Sequence, residues 1–377
     1  MSLRIGGMGW VTPLGSGVPA VWQRLVRGEE PTPEPISSPI HERAYQIYRV
    51  PAAATAGAPA HPRLRRSSAI SRFAVVAGLA ALDDAGLKLD AASAERTAIV
   101  FAISNGGVIY TKRFYHEVVE SGAQAASPLL FPETVFNAPA SHLAAILGIT
   151  GASYTLVGDG AVGLLALKMA EDLMLSPALD RCLVVGSEEA DWLLCDAYHR
   201  WRLLRERPPV EPFAVPPRGM ILSEGAGAVV VSRDGPIEIE RIDAGCNFQH
   251  QSEAAECVGR VFRALEPSDA DLIIASANGT FVDRAEAASI SRHCPRANIY
   301  APKTVLGESV GAGSLWQVIA ATQALRTGEL PPMLHQKAPA GLNVSSAASE
   351  KGSWQRALVS ACGLNQQVAG LCLKLLA

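Results

Sequence analysis

The segment GASYTLVGDGAVGLLAL, residues 151–167, decides how this chain is read. Tyr154–Val157 reads as a β-strand, Gly158-Asp159-Gly160 as a sharp polar elbow, and Ala161–Leu175 as a helix that is apolar on nearly every face. Strand, elbow and helix in that order present a side chain at a helix N-terminus, where free backbone N–H groups can also hold an oxyanion. The elbow contains no Cys, Ser or Thr. A site laid out for covalent chemistry is therefore expected to lack its nucleophile.

A second segment echoes the first. Ile299–Ala301 reads as a strand, Lys303–Gly313 as a glycine-bearing elbow and Ser314–Leu325 as a helix. A helix without a polar stripe must be covered all round. The runs Cys182–Gly186, Ala226–Val231 and Leu272–Ala275 are β-branched with little alternation, as strands buried on both faces are. Two buried helices between two covered sheets, in two similar halves, predict a layered α-β-α-β-α sandwich. The join is expected near Ser232–Pro236, giving an N-terminal half at residues 1–233 and a C-terminal half at 234–377. Further out, Arg4–Gly9 and Thr97–Ala102 read as strands. Ser71–Ala85 and Leu143–Leu147 read as helices, as does the segment through Trp22 and Leu25. Residues 28–62 are rich in Pro, Ala and Ser with little periodicity and read as a surface excursion.

With 377 residues, 49% of them hydrophobic, the chain can bury the core of an α/β enzyme fold. A net charge of −3 supplies no field for nucleic acid or an anionic membrane, so neither is expected as a partner. Seven cysteines form no C-x-x-C pair, so free thiols of a reducing compartment are expected, without disulfides or metal. No signal-peptide pattern and no run of roughly 18 apolar residues occurs, so a cytoplasmic chain without a membrane span is expected.

Five stretches, taken together, carry a resemblance. The opening IGGMGWVTPLGSG, the helix SRFAVVAGLAALDDAGL and the run FPETVFNAPASHLAAILGITGASYTLVGDGAVG occur in that order. PFAVPPRGMILSEGAGAVVV follows, with Glu224 and Gly225, and then APKTVLGESVGAGSLWQVIAA. The chain resembles, nearly end to end, the β-ketoacyl-acyl-carrier-protein synthases, which have the five-layered thiolase fold. That resemblance implies substrates carried on the phosphopantetheine arm of an acyl carrier protein, with no cofactor bound to the protein. It also implies a Cys nucleophile at the elbow, two His side chains that serve decarboxylation and the enolate, and a glycine turn that donates to the oxyanion.

By the same resemblance the Cys position is Gly160. The first His is Asn278 in ANGT, and the second is Glu308 in LGES. The family's Lys is kept as Lys303, and its glycine turn stands as Cys362-Gly363-Leu364-Asn365-Gln366-Gln367. Gly160 cannot form a thioester, Asn278 cannot act as a base near neutral pH, and Glu308 puts a carboxylate where an imidazole belongs. The departures fall on the chemistry and spare the scaffold. Asp159 is expected to cap the buried helix. A structural plug of Asp159, Glu308 and Lys303 is favoured over a catalytic set. Gly363, Leu364 and Asn365 are expected to line the oxyanion and tunnel region, with Leu364 at the place of the family's gating Phe. A bare Gly160 and an altered turn could widen that tunnel. Two arginine clusters, Arg63–Arg72 and Arg200–Arg207, read as solvated surface or as docking sites for an acidic carrier or a partner subunit.

The departures resemble those of chain-length-factor subunits of type II polyketide systems, although those usually carry Gln at the Cys position. The reading is a non-condensing subunit in fatty-acid, polyketide or polyene synthesis. It would form a heterodimer with an active ketosynthase, or else a homodimer with itself. The alternative is a repurposed decarboxylase or hydrolase that uses Asp159, Glu308, Lys303 and Asn278 on acyl thioesters.

Overall fold

The computed structural model describes residues 2–267, 269–345 and 348–376. Ten strands form one hydrogen-bonded path. The first five are β1 (Leu3–Thr12), β2 (Thr97–Ile103), β3 (Ser153–Val157), β4 (Arg181–Glu188) and β5 (Gly225–Ser232). The second five are β6 (Ile237–Asn247), β7 (Leu272–Ile274), β8 (Asn298–Tyr300), β9 (Arg356–Cys362) and β10 (Gln367–Leu375). Across the sheet the first set runs β3-β2-β4-β5-β1, and the second repeats that order as β8-β7-β9-β10-β6. In each set the third, second and fourth strands are parallel and the fifth and first are antiparallel. The sets join edge to edge through Leu3↔Ile239, Arg4↔Glu238 and Ile5↔Ile237, so the two expected sheets are hydrogen-bonded along one seam.

Seven helices make the other layers: α1 (Ala69–Asp84), α2 (Ala138–Leu147), α3 (Val162–Leu173), α4 (Trp192–Arg200), α5 (Ala254–Leu265), α6 (Phe281–His293) and α7 (Gly313–Thr327). Helices α1 and α2 cover the outer face of the first five strands, and α5 and α6 cover that of the second five. Between the two sets lie α3 and α7, each touching strands of both. The five-layered α-β-α-β-α sandwich of the thiolase fold is the result.

The buried helices satisfy their few polar groups by bridging the layers. The indole N–H of Trp316 donates to the Ala226 carbonyl on β5 at 2.9 Å. One residue on, the Gln317 amide donates to Ile274 on β7 at 3.2 Å and to Ser360 on β9 at 2.7 Å. A single turn of α7 is thus pinned to both sheets. The N-termini of α3 and α7 meet where the Gly163 N–H donates to Ser314 Oγ at 3.1 Å.

Residues 28–62 depart from the expectation of a surface excursion. Glu34–Ser37 and Ala44–Tyr48 form a hairpin, and the second strand pairs in parallel with Leu222–Ser223. Tyr45, Ile47 and Tyr48 are buried. The alternating apolar residues of AYQIY carry that signal, which the surrounding proline and serine obscure. Helix α2 is also longer than the short segment expected from Leu143, because Pro139 stands in its first turn, where proline is tolerated.

Helix α1 lies directly on β1. A Cβ at Gly7 or Gly9 would overlap the carbonyl oxygens of Ala81 or Ala77 in α1. Overpacking of this kind costs about 1–3 kcal/mol. Gly9→Ala is therefore expected to lower unfolding free energy by that amount in urea titration. Gly57→Ala, which faces open space, should leave it unchanged.

Candidate active site

The elbow and the glycine turn close on each other. Asp159 N–H donates to Gln367 Oε1 at 2.9 Å, and the Asp159 carboxylate accepts from Asn365 N–H at 2.7 Å. The expected helix cap is not formed. The N-terminus of α3 has no side-chain cap, and its Val162 N–H is met by the Asp159 backbone carbonyl at 2.8 Å. The carboxylate is instead engaged by the N–H of the exposed Asn365 across the site.

Gly160 is buried, and the turn fills the space over it. A Cβ there would stand 3.2 Å from Gly363 Cα and 3.7 Å from the Cys362 carbonyl oxygen. At Gly363 a Cβ would overlap the Asp159 carboxylate. The missing side chain therefore lets backbone approach backbone. Leu364 is buried in the core.

The other two departures, Asn278 and Glu308, form one cluster with the retained Lys303. Lys303 Nζ and Glu308 Oε2 are 3.1 Å apart, with side chains 0% and 1% exposed. The Asn278 amide donates to the same Glu308 oxygen at 2.8 Å. Lys303 also donates to Ser276 Oγ at 3.2 Å, and Ser276 Oγ donates to the Cys362 carbonyl at 3.1 Å. The bond chain runs from the ion pair to the turn, and the turn is bonded to Asp159. Asp159 thus joins Glu308 and Lys303 through the turn and makes no direct contact with them. Asn278 is held rigidly from behind: its side-chain oxygen accepts from Thr280 Oγ1 at 2.7 Å, and its N–H donates to Asp283 at 2.8 Å.

Three residues not singled out from the sequence complete the site. Tyr198 on α4 hydrogen-bonds Asn105 and lies among Asp159, Glu188 and Glu308. Burial and those three carboxylates raise its phenol far above the ordinary range. Glu188 accepts from the backbone N–H groups of Ser104 and Asn105 at 2.9 and 3.0 Å, yet burial pushes it up to about 7. Glu286 accepts from Ser276 N–H at 2.9 Å, and burial pushes it up to about 8. Only the alternation around these positions is visible in sequence; their convergence depends on the crossing of layers.

No residual thiol substitutes for the nucleophile. Cys362 is the cysteine beside the elbow, and burial raises its thiol well above the ordinary value. Its hydrogen bond goes to the Gly363 carbonyl at 3.6 Å. His142 pairs with Glu133 at 2.6 Å on the outer layer. Among the described residues no group of His, Cys, Asp or Glu could hold a metal ion, and no helix is long and apolar enough to cross a membrane.

Comparison with known proteins matches this geometry. The family model described as beta-ketoacyl synthase, N-terminal domain, covers residues 2–235, and that described as beta-ketoacyl synthase, C-terminal domain, covers 242–337. Nodulation protein E of Rhizobium sp. (strain N33) is 26% identical over 362 residues, 89% of each chain. The 3-oxoacyl-[acyl-carrier-protein] synthase 2 of Coxiella burnetii is 24% identical over 369 residues, 89% of this chain and 88% of that one. The ishigamide ketosynthase/chain length factor superposes with a TM-score of 0.88 at 21% identity, over 100% of this chain and 99% of that one. AntDE:AntF, a type II acyl-carrier protein in complex with its ketosynthase, superposes with a TM-score of 0.82 at 15% identity, over 100% and 99%.

Breaking a buried ion pair on one side strands a charge and costs about 3–5 kcal/mol. Lys303→Met is expected to destabilise by that amount in chemical denaturation, and Lys303→Met with Glu308→Leu is expected to recover most of it. Glu286 adds a pH dependence. Its folded value, about 8, lies above the ordinary 4.5, so the folded state holds the proton more tightly. The stabilisation is complete below about 4.5 and is lost as pH rises through about 8. Unfolding free energy measured from pH 5 to 8 should fall less steeply in Glu286→Gln than in the parent.

Proposed function

This chain belongs to the β-ketoacyl synthase family, and from that premise we propose that it is a non-condensing subunit of chain-length-factor type. It would act beside a cysteine-bearing ketosynthase on acyl chains held by an acyl carrier protein. The observation that carries the reading is the elbow: Gly160 has no nucleophile, and a Cβ there would stand 3.2 Å from Gly363 Cα. The Lys303–Glu308–Asn278 cluster supports it, since every member is buried and bonded to another protein group. Removing a nucleophile costs several orders of magnitude in rate even where the rest of a site survives.

A need for a partner subunit is supported at the edge of the sheet. Strand β3 pairs with β2 on one side, and its own residues are half-buried or exposed, Tyr154 and Val157 among the exposed ones. Tyr115, Val119, Leu129, Phe131, Val135 and Phe136 are exposed in the adjoining segment. Exposed apolar residues and a strand paired on one side only are features of an interaction surface. Carrier docking is supported by a groove lined by Arg65, Arg66, Arg72 and Arg113, with Arg200 and Arg202 on a second face. An acidic carrier would meet complementary charge at either face.

The test is co-expression with a cysteine-bearing ketosynthase from the same gene neighbourhood, followed by size exclusion. A one-to-one complex is expected, and Val157→Asp should weaken it about tenfold or more. The isolated chain should acquire no acyl mass from a loaded carrier protein. A stable homodimer indifferent to the ketosynthase, or a covalent acyl adduct on this chain, would overturn the reading. Turnover of malonyl thioester by the isolated chain, abolished by Glu308→Ala, would instead establish the repurposed enzyme.

A further inference from the structure

A second concave site lies on the far side of α4 from Tyr198. The hairpin strand Ala44–Tyr48 forms one wall and the segment after α4 forms the other, enclosing a cavity of about 260 Å³. Arg43, His199, Arg205 and Arg207 line it, with Glu206 as the one acidic lining residue. We propose that this cavity binds a phosphate ester.

The walls are preorganised. Arg205 N–H donates to the Met220 carbonyl at 2.8 Å, and Leu204 bridges Met220, which fixes the path of the basic segment. The Arg205 guanidinium spans Glu211 at 2.9 Å and the Arg207 carbonyl at 2.6 Å, so it buttresses the wall. Opposite, the Tyr45 hydroxyl donates to Asp196 at 2.9 Å. The same carboxylate takes His41 at 2.9 Å and Arg200 at 2.8 Å. The His199 ring packs on Tyr45 with centroids 5.8 Å apart.

Arg43, hydrogen-bonded to the Tyr45 side chain, and Arg207 carry the remaining charges. Among the described residues neither pairs with a carboxylate, whereas Arg200 and Arg205 both do. Two arginines lining one concavity suit a tetrahedral dianion, since each guanidinium can give parallel N–H···O bonds to its oxygens. A carboxylate would satisfy one fork, and a phosphate ester can satisfy both. The cavity exceeds a lone phosphate, which leaves room for the group that the phosphate carries. The ester can be the 4′-phosphate of a pantetheine arm or the phosphate of a free nucleotide-like metabolite. Only the first source rests on the proposed function; the phosphate chemistry does not.

The experiment is titration calorimetry of the full chain with three probes: inorganic phosphate, 4′-phosphopantetheine and adenosine 3′,5′-bisphosphate. Binding of at least one is expected. Arg43→Glu and Arg207→Glu should each weaken it about tenfold or more, with raised salt weakening the parent in parallel. Arg63→Glu, outside the cavity, should change it less than about twofold. Far-ultraviolet circular dichroism of each variant confirms that it is folded. Preference for 4′-phosphopantetheine would assign the pantetheine source, and preference for the bisphosphate would assign the nucleotide source. Absence of binding by all three probes, or equal loss in Arg63→Glu, would overturn the proposal. Failure of the ketosynthase complex to form would leave this result untouched.

Discussion

The ion pair between Lys303 and Glu308 governs the interior of this molecule. Two charges removed from water survive only by facing each other with their remaining polar atoms met. Asn278 takes part of that burden on the carboxylate side and Ser276 takes part on the ammonium side. Ser276 then passes the constraint to the Cys362 carbonyl and so to the turn. A charge-relay geometry suited to thioester chemistry would need an open face toward substrate. Here Glu308 Oε2 meets both Lys303 and Asn278 while its Oε1 is buried without a hydrogen-bond partner, and the cluster acts as a keystone where the sheets meet the buried helices.

That keystone explains why the elbow is closed. The turn after β9 is drawn toward the ion pair from one side by Ser276. From the other side Asp159 and Gln367 hold it through two hydrogen bonds of 2.9 Å or less. A side chain at 160 or 363 would hold the two backbones apart. Gly160, Gly363, Asp159 and Gln367 are therefore one packing solution. Losing the nucleophile, acquiring an acid at 159 and placing a long amide at 367 belong together physically.

Much of the architecture was legible in the sequence because it is written in continuous apolar runs. The helices that include Ala161–Leu175 and Ser314–Leu325 announce themselves by having no polar stripe, and the elbows by their glycines. The hairpin at 34–48 was not legible, since a five-residue strand amid prolines has too few alternations to stand out. At the site, Asn278 lies together in the fold with Lys303 and Glu308, residues far from it in sequence. Their partnerships did not follow. The pairing of Asp159 with Asn365 spans 206 residues, and nothing local distinguishes it from a helix cap. Tyr198 and Glu188 enter the site only because α4 and β4 end beside the elbow, which is a property of layer order.

The same layer order bears on why the scaffold outlives the chemistry. Helix α7 holds β5 through Trp316 and holds β7 and β9 through Gln317, and its first turn touches α3 through Ser314. Residues beside the site are thus among those that join the two sheets. Removing the reactive groups costs nothing in stability if neutral packing or a satisfied ion pair replaces them. Removing the frame would open the core along the seam between β1 and β6. A chain kept for the surface it presents, an apolar strand edge and basic grooves, must keep that frame whole.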